Sequence, residues 1–169
     1  MSDSQKYDPI RTLDFISYLE AFKKLERFKG QVFWKDFPFP DRYESDADHT
    51  WRMAMILITI EKELAQKVDL VRALKMILIH DIPELIAGDA SPLGTDGTGM
   101  DSHAYNENVK QERFINEDAA AKEIFSKLGN EQGLEFHALW REFEEQETYE
   151  AKIVRAIDKL EGKLQSFEY

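Results

Sequence analysis

HTWRMAMILITIEKELAQKVDLVRALKMILIHD, residues 49–81, is the stretch that decides the fold. Its apolar residues recur at helical spacing, without the alternation of a strand, in two runs around MAMILITI and ALKMILI. Asp46 or Asp48 stands ready to cap the first helix, which runs to about Lys62. Asp69 caps the second, Leu70 to His80. Both are apolar on nearly all sides, which marks them as the buried centre. The short connection between them favours antiparallel neighbours. At a rise of 1.5 Å per residue the two arms differ by only roughly 5 Å. His49 and His80 therefore meet at one end of the hairpin.

Outward from this hairpin the helical period continues almost throughout. A first helix is expected over 11–28, with Leu13, Ile16, Leu19, Phe22 and Leu25 as its stripe. A loop rich in Phe, Pro and Asp (FWKDFPFPDRYES) leads into the hairpin. After it, Pro83 removes a backbone donor and disfavours helix at Ile82. A short piece, PELIAG, precedes a glycine- and proline-containing loop over 89–102. Helices at about 104–128, 132–146 and 149–165 complete the chain. Repeats and linkers are lacking, so the expectation is an all-α fold: one domain over 1–169, built as a bundle of about six to seven helices.

Twenty-two basic residues face thirty-three acidic ones, a formal charge of −11. Such a surface repels a polyanion and argues against a nucleic-acid polymer as partner. It still admits one small phosphate, because a metal and an arginine reverse the sign locally. Without cysteine there is no thiolate site, so any metal relies on His, Asp and Glu. MSDSQKYDPIR has no apolar signal core, and the run from Met53 to Ile60 is too short to span a bilayer. No membrane partner and a cytoplasmic location are the expectations.

Four positions suggest chemistry: His49, the pair His80-Asp81, and Asp158. Each has an ordinary alternative. His80 fits a core histidine satisfied by a carbonyl, His49 fits a helix start, and Asp158 has Arg155 three residues earlier for an ion pair. Adjacent residues on a regular helix point about 100° apart, so His80 and Asp81 share one ion only if the break at Pro83 relaxes the backbone. Spacing neither brings Asp158 to the site nor excludes it.

The segments ESDADHTWRMA (44–54), IHDIPELIAGD (79–89) and AKIVRAIDKLE (151–161) resemble the successive H…HD…D motifs of the HD-domain phosphohydrolases. The similarity runs from about residue 22 to the C-terminus, and it is closer to the branch acting on deoxyribonucleoside 5′-monophosphates. The resemblance implies four metal ligands, His49, His80, Asp81 and Asp158, holding one divalent ion (Co, Mn, Mg, Zn or Ni). It places the family's HDxxE glutamate on Glu84 and its Gly-Asp on Gly88-Asp89. Its LKxxxR segment is matched by Phe22-Lys23 through Arg27. Three departures accompany these matches: the residues from Phe28 onward lack the usual aromatic and glycine pattern, Asp46 stands where an aliphatic residue is usual, and the chain stops at Tyr169 where relatives continue through another helix, as a truncated chain would.

The function so implied is removal of phosphate from a (deoxy)ribonucleoside 5′-monophosphate by water activated on the metal. Glu84 is the candidate acid or base, assisted by Asp89, and its ordinary alternative is a first-turn acid complementing the helix dipole. Arg27, Phe28 and Asp89 are the candidate substrate contacts, with Arg27 clamping phosphate in bidentate fashion; a solvated basic face (KKLER) is the rival reading of Arg27. His137 reads as structural, and His103 borders the 89–102 loop. Relatives often dimerise, and an acidic surface over apolar helices permits a homodimer. The rival functions are hydrolysis of another nucleotide such as (p)ppGpp, against which Leu85 replaces the second acid of HDxxED, and a non-catalytic helical binding module using Trp34, Phe37 and Phe39.

Overall fold

In the computed structural model, which describes residues 7–27, 43–92, 94, 95 and 98–168, the chain is helical and no strand is present among the described residues. In order, the helices are α1 (Pro9–Tyr18), α2 (Asp46–Ile60), α3 (Leu70–Ile79), α4 (Glu84–Ala87), α5 (Glu107–Ser126), α6 (Glu131–Glu145) and α7 (Tyr149–Glu168). The 49–81 stretch forms the expected hairpin, with α2 and α3 packed on each other and both packed on α7. Met53, Leu57, Ala73, Met76 and Ile77 meet Ile124, Phe125, Trp140, Phe143, Val154 and Ile157 in one buried core. None of the described helices is long and apolar enough to cross a membrane.

Three local expectations need correction. The helix expected over 11–28 ends at Tyr18, a 3-10 turn takes Leu19–Lys24, and Leu25 is extended. Its stripe holds only in part: Phe22 is buried as expected, but Leu13 and Ile16 are 64 % and 58 % exposed and Phe15 is buried instead. The larger aromatic rings bury more area per side chain and win the inward face. The 3-10 segment, with three residues per turn, then shifts the register after Tyr18.

Neither Asp46 nor Asp48 is the cap of α2. Ser45 caps it, accepting from the Asp48 backbone N–H at 3.2 Å, while the Asp48 carboxylate accepts from the Ser45 N–H at 3.0 Å. This reciprocal capping box leaves Asp46 to point inward, fully buried.

The hairpin helices are also not buried on all sides. Trp51, Met55 and Ile58 on α2, and Val71 and Leu78 on α3, are exposed. Two helices in a bundle this small each keep one face toward water, whatever their composition.

Past α3, Pro83 opens α4, and Gly88 closes it with φ of +81°, a conformation that side chains other than glycine rarely adopt. That turn delivers Asp89. Upstream, the Arg27 N–H donates to the Glu44 carbonyl at 2.9 Å and the Asp46 N–H to the Leu25 carbonyl at 3.0 Å. This short antiparallel bridge pins Arg27 against the start of α2.

Candidate metal centre

The first turn of α2 and the last residue of the α3 arm bring two imidazoles together, with ring centroids 5.5 Å apart. His80 Nδ1 lies 2.8 Å from the Ile77 carbonyl oxygen, which can only accept, so Nδ1 carries the proton and Nε2 is the lone pair. His49 Nδ1 is engaged by the carboxylate of Glu161. Both histidines are buried, and neither Nε2 has a hydrogen-bond partner among the described residues. Two orphaned buried nitrogens need an explanation, and both face carboxylates.

Asp81 Oδ2 lies 3.1 Å from His80 Nε2 and 3.8 Å from His49 Nε2. Asp158 Oδ1, from α7, lies 3.4 Å from His49 Nε2. Donors held at about 2.1 Å from one ion, with tetrahedral or wider angles, are separated by about 3.4 Å or more, and octahedral neighbours by about 3.0 Å. The spacings among His49, His80 and Asp81 fit one small divalent cation, and Asp158 lies beside it on the His49 side. Donor atoms of His49, His80 and Asp81 all lie within 4.8 Å of one another. The break after His80 thus achieves what a continuous helix forbids, turning adjacent His and Asp side chains to one point. Asp158 faces His49, as the resemblance implies, and Arg155 holds its other oxygen at 3.4 Å, as the spacing suggests.

The electrostatics match. Burial alone pushes the His49 imidazole down, but the carboxylates of Asp158 and Glu161 outweigh it and raise its pKa to about 9. Burial also opposes ionisation of Asp81, yet His80, Arg27 and His49 beside it hold its carboxyl well below the usual range. The site favours a concentrated positive charge at the two imidazoles.

Beside it lies a second carboxylate group. Oxygens of Asp46, Asp81 and Glu84 fall within 4.8 Å of one another, and all three residues are buried. Burial, then repulsion from Asp81, pushes Asp46 to about 8. Burial, then repulsion from Asp81, Asp89 and Asp46, pushes Glu84 well above the carboxylate range. Arg113 lies 3.3 Å from Glu84 Oε1 and also binds Glu117.

Arg27 is not part of a solvated basic face. Its side chain is 10 % exposed, and its guanidinium lies 2.9 Å from Asp81 and 3.6 Å from both Glu44 and Asp46. Here it is the counter-ion of the carboxylate group. Asp89 is partly buried past Gly88, where its charge bears on Glu84, Asp46 and Arg27. Phe28, Trp34, Phe37 and Phe39 lie outside the described residues. His137 is structural as read, 2.9 Å from Asp118 and stacked with Trp140. His103 is partly buried near the site arginines; burial, then Arg113 and Arg155, lowers its pKa to about 4.

Sequence reasoning missed Glu161, Glu44 and Arg113 as neighbours of the site. Only Glu161 left a signal, lying one turn after Asp158 and hence on the same helix face.

The description "HD domain" belongs to the family model that matches residues 32–169. The chain is 34% identical over 161 residues to a 5′-deoxynucleotidase HDDC2 of Dictyostelium discoideum, covering 90% of this chain and 77% of that one. To the Homo sapiens 5′-deoxynucleotidase HDDC2 it is 33% identical over 129 residues, 76% of this chain and 55% of that one. The chain therefore spans little more than half the length of the human relative. Among solved structures, a protein of Magnetospirillum magnetotacticum described as a "predicted metal-dependent phosphohydrolase" superposes with a TM-score of 0.71 at 26% identity, covering 94% of this chain and 72% of that one.

Proposed function

The chain belongs to the HD-domain family, and from that premise we propose that it is a metal-dependent phosphohydrolase releasing phosphate from (deoxy)ribonucleoside 5′-monophosphates. The observation that carries this reading is the pair of orphaned Nε2 atoms on His49 and His80, facing Asp81 and Asp158 across distances suited to one cation. Two nitrogens and two carboxylates suit Mn, Co, Ni, Zn or Mg, and four protein donors leave room for further ligands on an ion that takes five or six. A divalent ion bound there supplies Lewis acidity, neutralising phosphoryl charge and making water a nucleophile at neutral pH.

The chain's own residues supply the rest. Asp81 stays ionised and orients toward both imidazoles. Glu84, one turn past His80 and with Oε2 unpartnered among the described residues, is assigned to pass a proton to the leaving 5′-oxygen. Arg113 holds the other oxygen of that carboxyl and fixes its direction. Asp89, at the mouth of the following loop, is assigned to the sugar hydroxyls. Arg27 balances the charge of Asp81 and is assigned to the phosphate through its other N–H groups. The names of the curated relatives support the monophosphate substrate, and Leu85, in place of a second acid, speaks against (p)ppGpp. A cytoplasmic homodimer is the assembly we assign.

The test is phosphate release from a panel of nucleoside and deoxynucleoside monophosphates after chelation and reloading with Co²⁺, Mn²⁺ or Mg²⁺. Release dependent on the ion is expected. No release with any pairing would leave a helical binding module as the better reading.

A further inference from the structure

His80 and His49 face the same problem and sit at opposite ends of their helices. A helix C-terminus offers spare carbonyls, and His80 uses one, that of Ile77. A helix N-terminus offers only spare N–H groups, so His49, in the first turns of α2, finds no acceptor in its own helix. Its acceptor comes from α7. Glu161 is 0 % exposed, and its Oε2 engages His49 Nδ1. Its other oxygen lies 3.7 Å from the Arg52 guanidinium, and its carboxylate comes within 4.8 Å of donor atoms of Glu44 and His49. A carboxylate taken wholly out of water costs several kcal/mol unless it is paired. Packing α7 on α2 alone calls for an apolar residue there.

We propose that Glu161 is a positioning residue for the metal centre: its carboxylate accepts the Nδ1 proton of His49, fixes the tautomer and the ring plane, and so turns the Nε2 lone pair toward the cation. The inference rests on the metal-dependent reading above. Acceptors behind a metal-bound histidine also raise its basicity, and their loss lowers metal affinity about 10- to 100-fold.

Mn²⁺ affinity of the full chain, measured by calorimetric titration after chelation, tests this without reference to turnover. Glu161→Met keeps the volume and removes the acceptor, whereas Glu161→Gln keeps an acceptor oxygen and removes the charge. We expect Glu161→Met to weaken Mn²⁺ binding on the order of 10- to 100-fold, and Glu161→Gln to recover part of that loss while staying weaker than wild type. The thermal midpoint of each metal-free variant shows whether it is folded. If Glu161→Met does not fold, Glu161→Gln decides. Mn²⁺ affinity within two-fold of wild type in a folded variant lacking the acceptor, or in Glu161→Gln when it alone folds, overturns the positioning role and leaves the metal reading standing. Wild-type protein that takes up no Mn²⁺ or Co²⁺ removes both.

Discussion

Replacing Arg27 with methionine separates its two roles. The substitution keeps an apolar stem and deletes a guanidinium that lies 2.9 Å from Asp81 and 3.6 Å from Glu44 and Asp46, with little exposure to water. Removing one partner of a buried ion pair costs about 3–5 kcal/mol, because the other charge is left uncompensated. Three carboxyls lose their partner here, but they do not count equally. Burial and repulsion from Asp81 raise Asp46 to about 8, and burial and Glu161 raise Glu44 to about 7, so both are partly neutral at pH 7. Asp81 stays ionised and carries most of the penalty. We therefore expect about 3 kcal/mol of destabilisation at pH 7, near the lower end of that range. For a chain of this size that is a fall of about 6–12 °C in the midpoint of the metal-free protein. Mn²⁺ should restore part of it, because a cation at Asp81 replaces the missing charge. Urea denaturation with and without Mn²⁺ measures both quantities. A metal-free Arg27→Met variant within about 1 kcal/mol of wild type, with only KM for the nucleotide raised, would refute the counter-ion reasoning and return Arg27 to a pure phosphate clamp.

Two further outcomes follow from the same geometry. Glu84→Gln should retain bound metal and lower kcat by about 10²–10⁴-fold, read by phosphate release beside metal content; a variant that loses its metal would make Glu84 a ligand and not the proton carrier. His103 is held neutral, its pKa lowered to about 4 by burial and by Arg113 and Arg155, so its contribution runs opposite to that of a paired histidine. The unfolded chain binds this proton near 6.5 and the folded one only near 4, so stability is intact above about 6.5 and declines as pH falls toward 4. His103→Gln should flatten the fall in thermal midpoint between pH 7 and pH 5; an unaltered slope would show that His103 takes no part in it.

The hairpin was legible in the sequence because period, cap and arm length agree there: Asp69 caps α3 as expected, and the two histidines meet. Where two faces of one helix are both apolar, the pattern is ambiguous. In α1 the choice between Leu13–Ile16 and Phe15 is made by what the helix packs against, here Phe136 of α6, not by local period. Ser45 was hidden beside two aspartates that are equally good caps, and only Asp48 closing the box distinguishes it. The proposed ligand positions were readable as motifs, but their proximity was not: Asp158 reaches His49 because α7 packs across α2, a contact over a long separation that no spacing rule reports. Arg113 and Glu44 were invisible for the same reason, and Glu161 showed only as a neighbour of Asp158 on one helix face. Each matters through what it touches, at separations of 29, 17 and 112 residues from Glu84, Arg27 and His49.

The central claim is convergence of His49, His80, Asp81 and Asp158 on one cation. Anomalous scattering from crystals grown with Co²⁺ or Mn²⁺, collected at the absorption edge of that metal, tests it most directly. The account predicts one strong peak about 2.0–2.3 Å from the Nε2 atoms of His49 and His80 and from carboxylate oxygens of Asp81 and Asp158. A strong peak held by other side chains, with His49 and His80 left empty-handed, would contradict it.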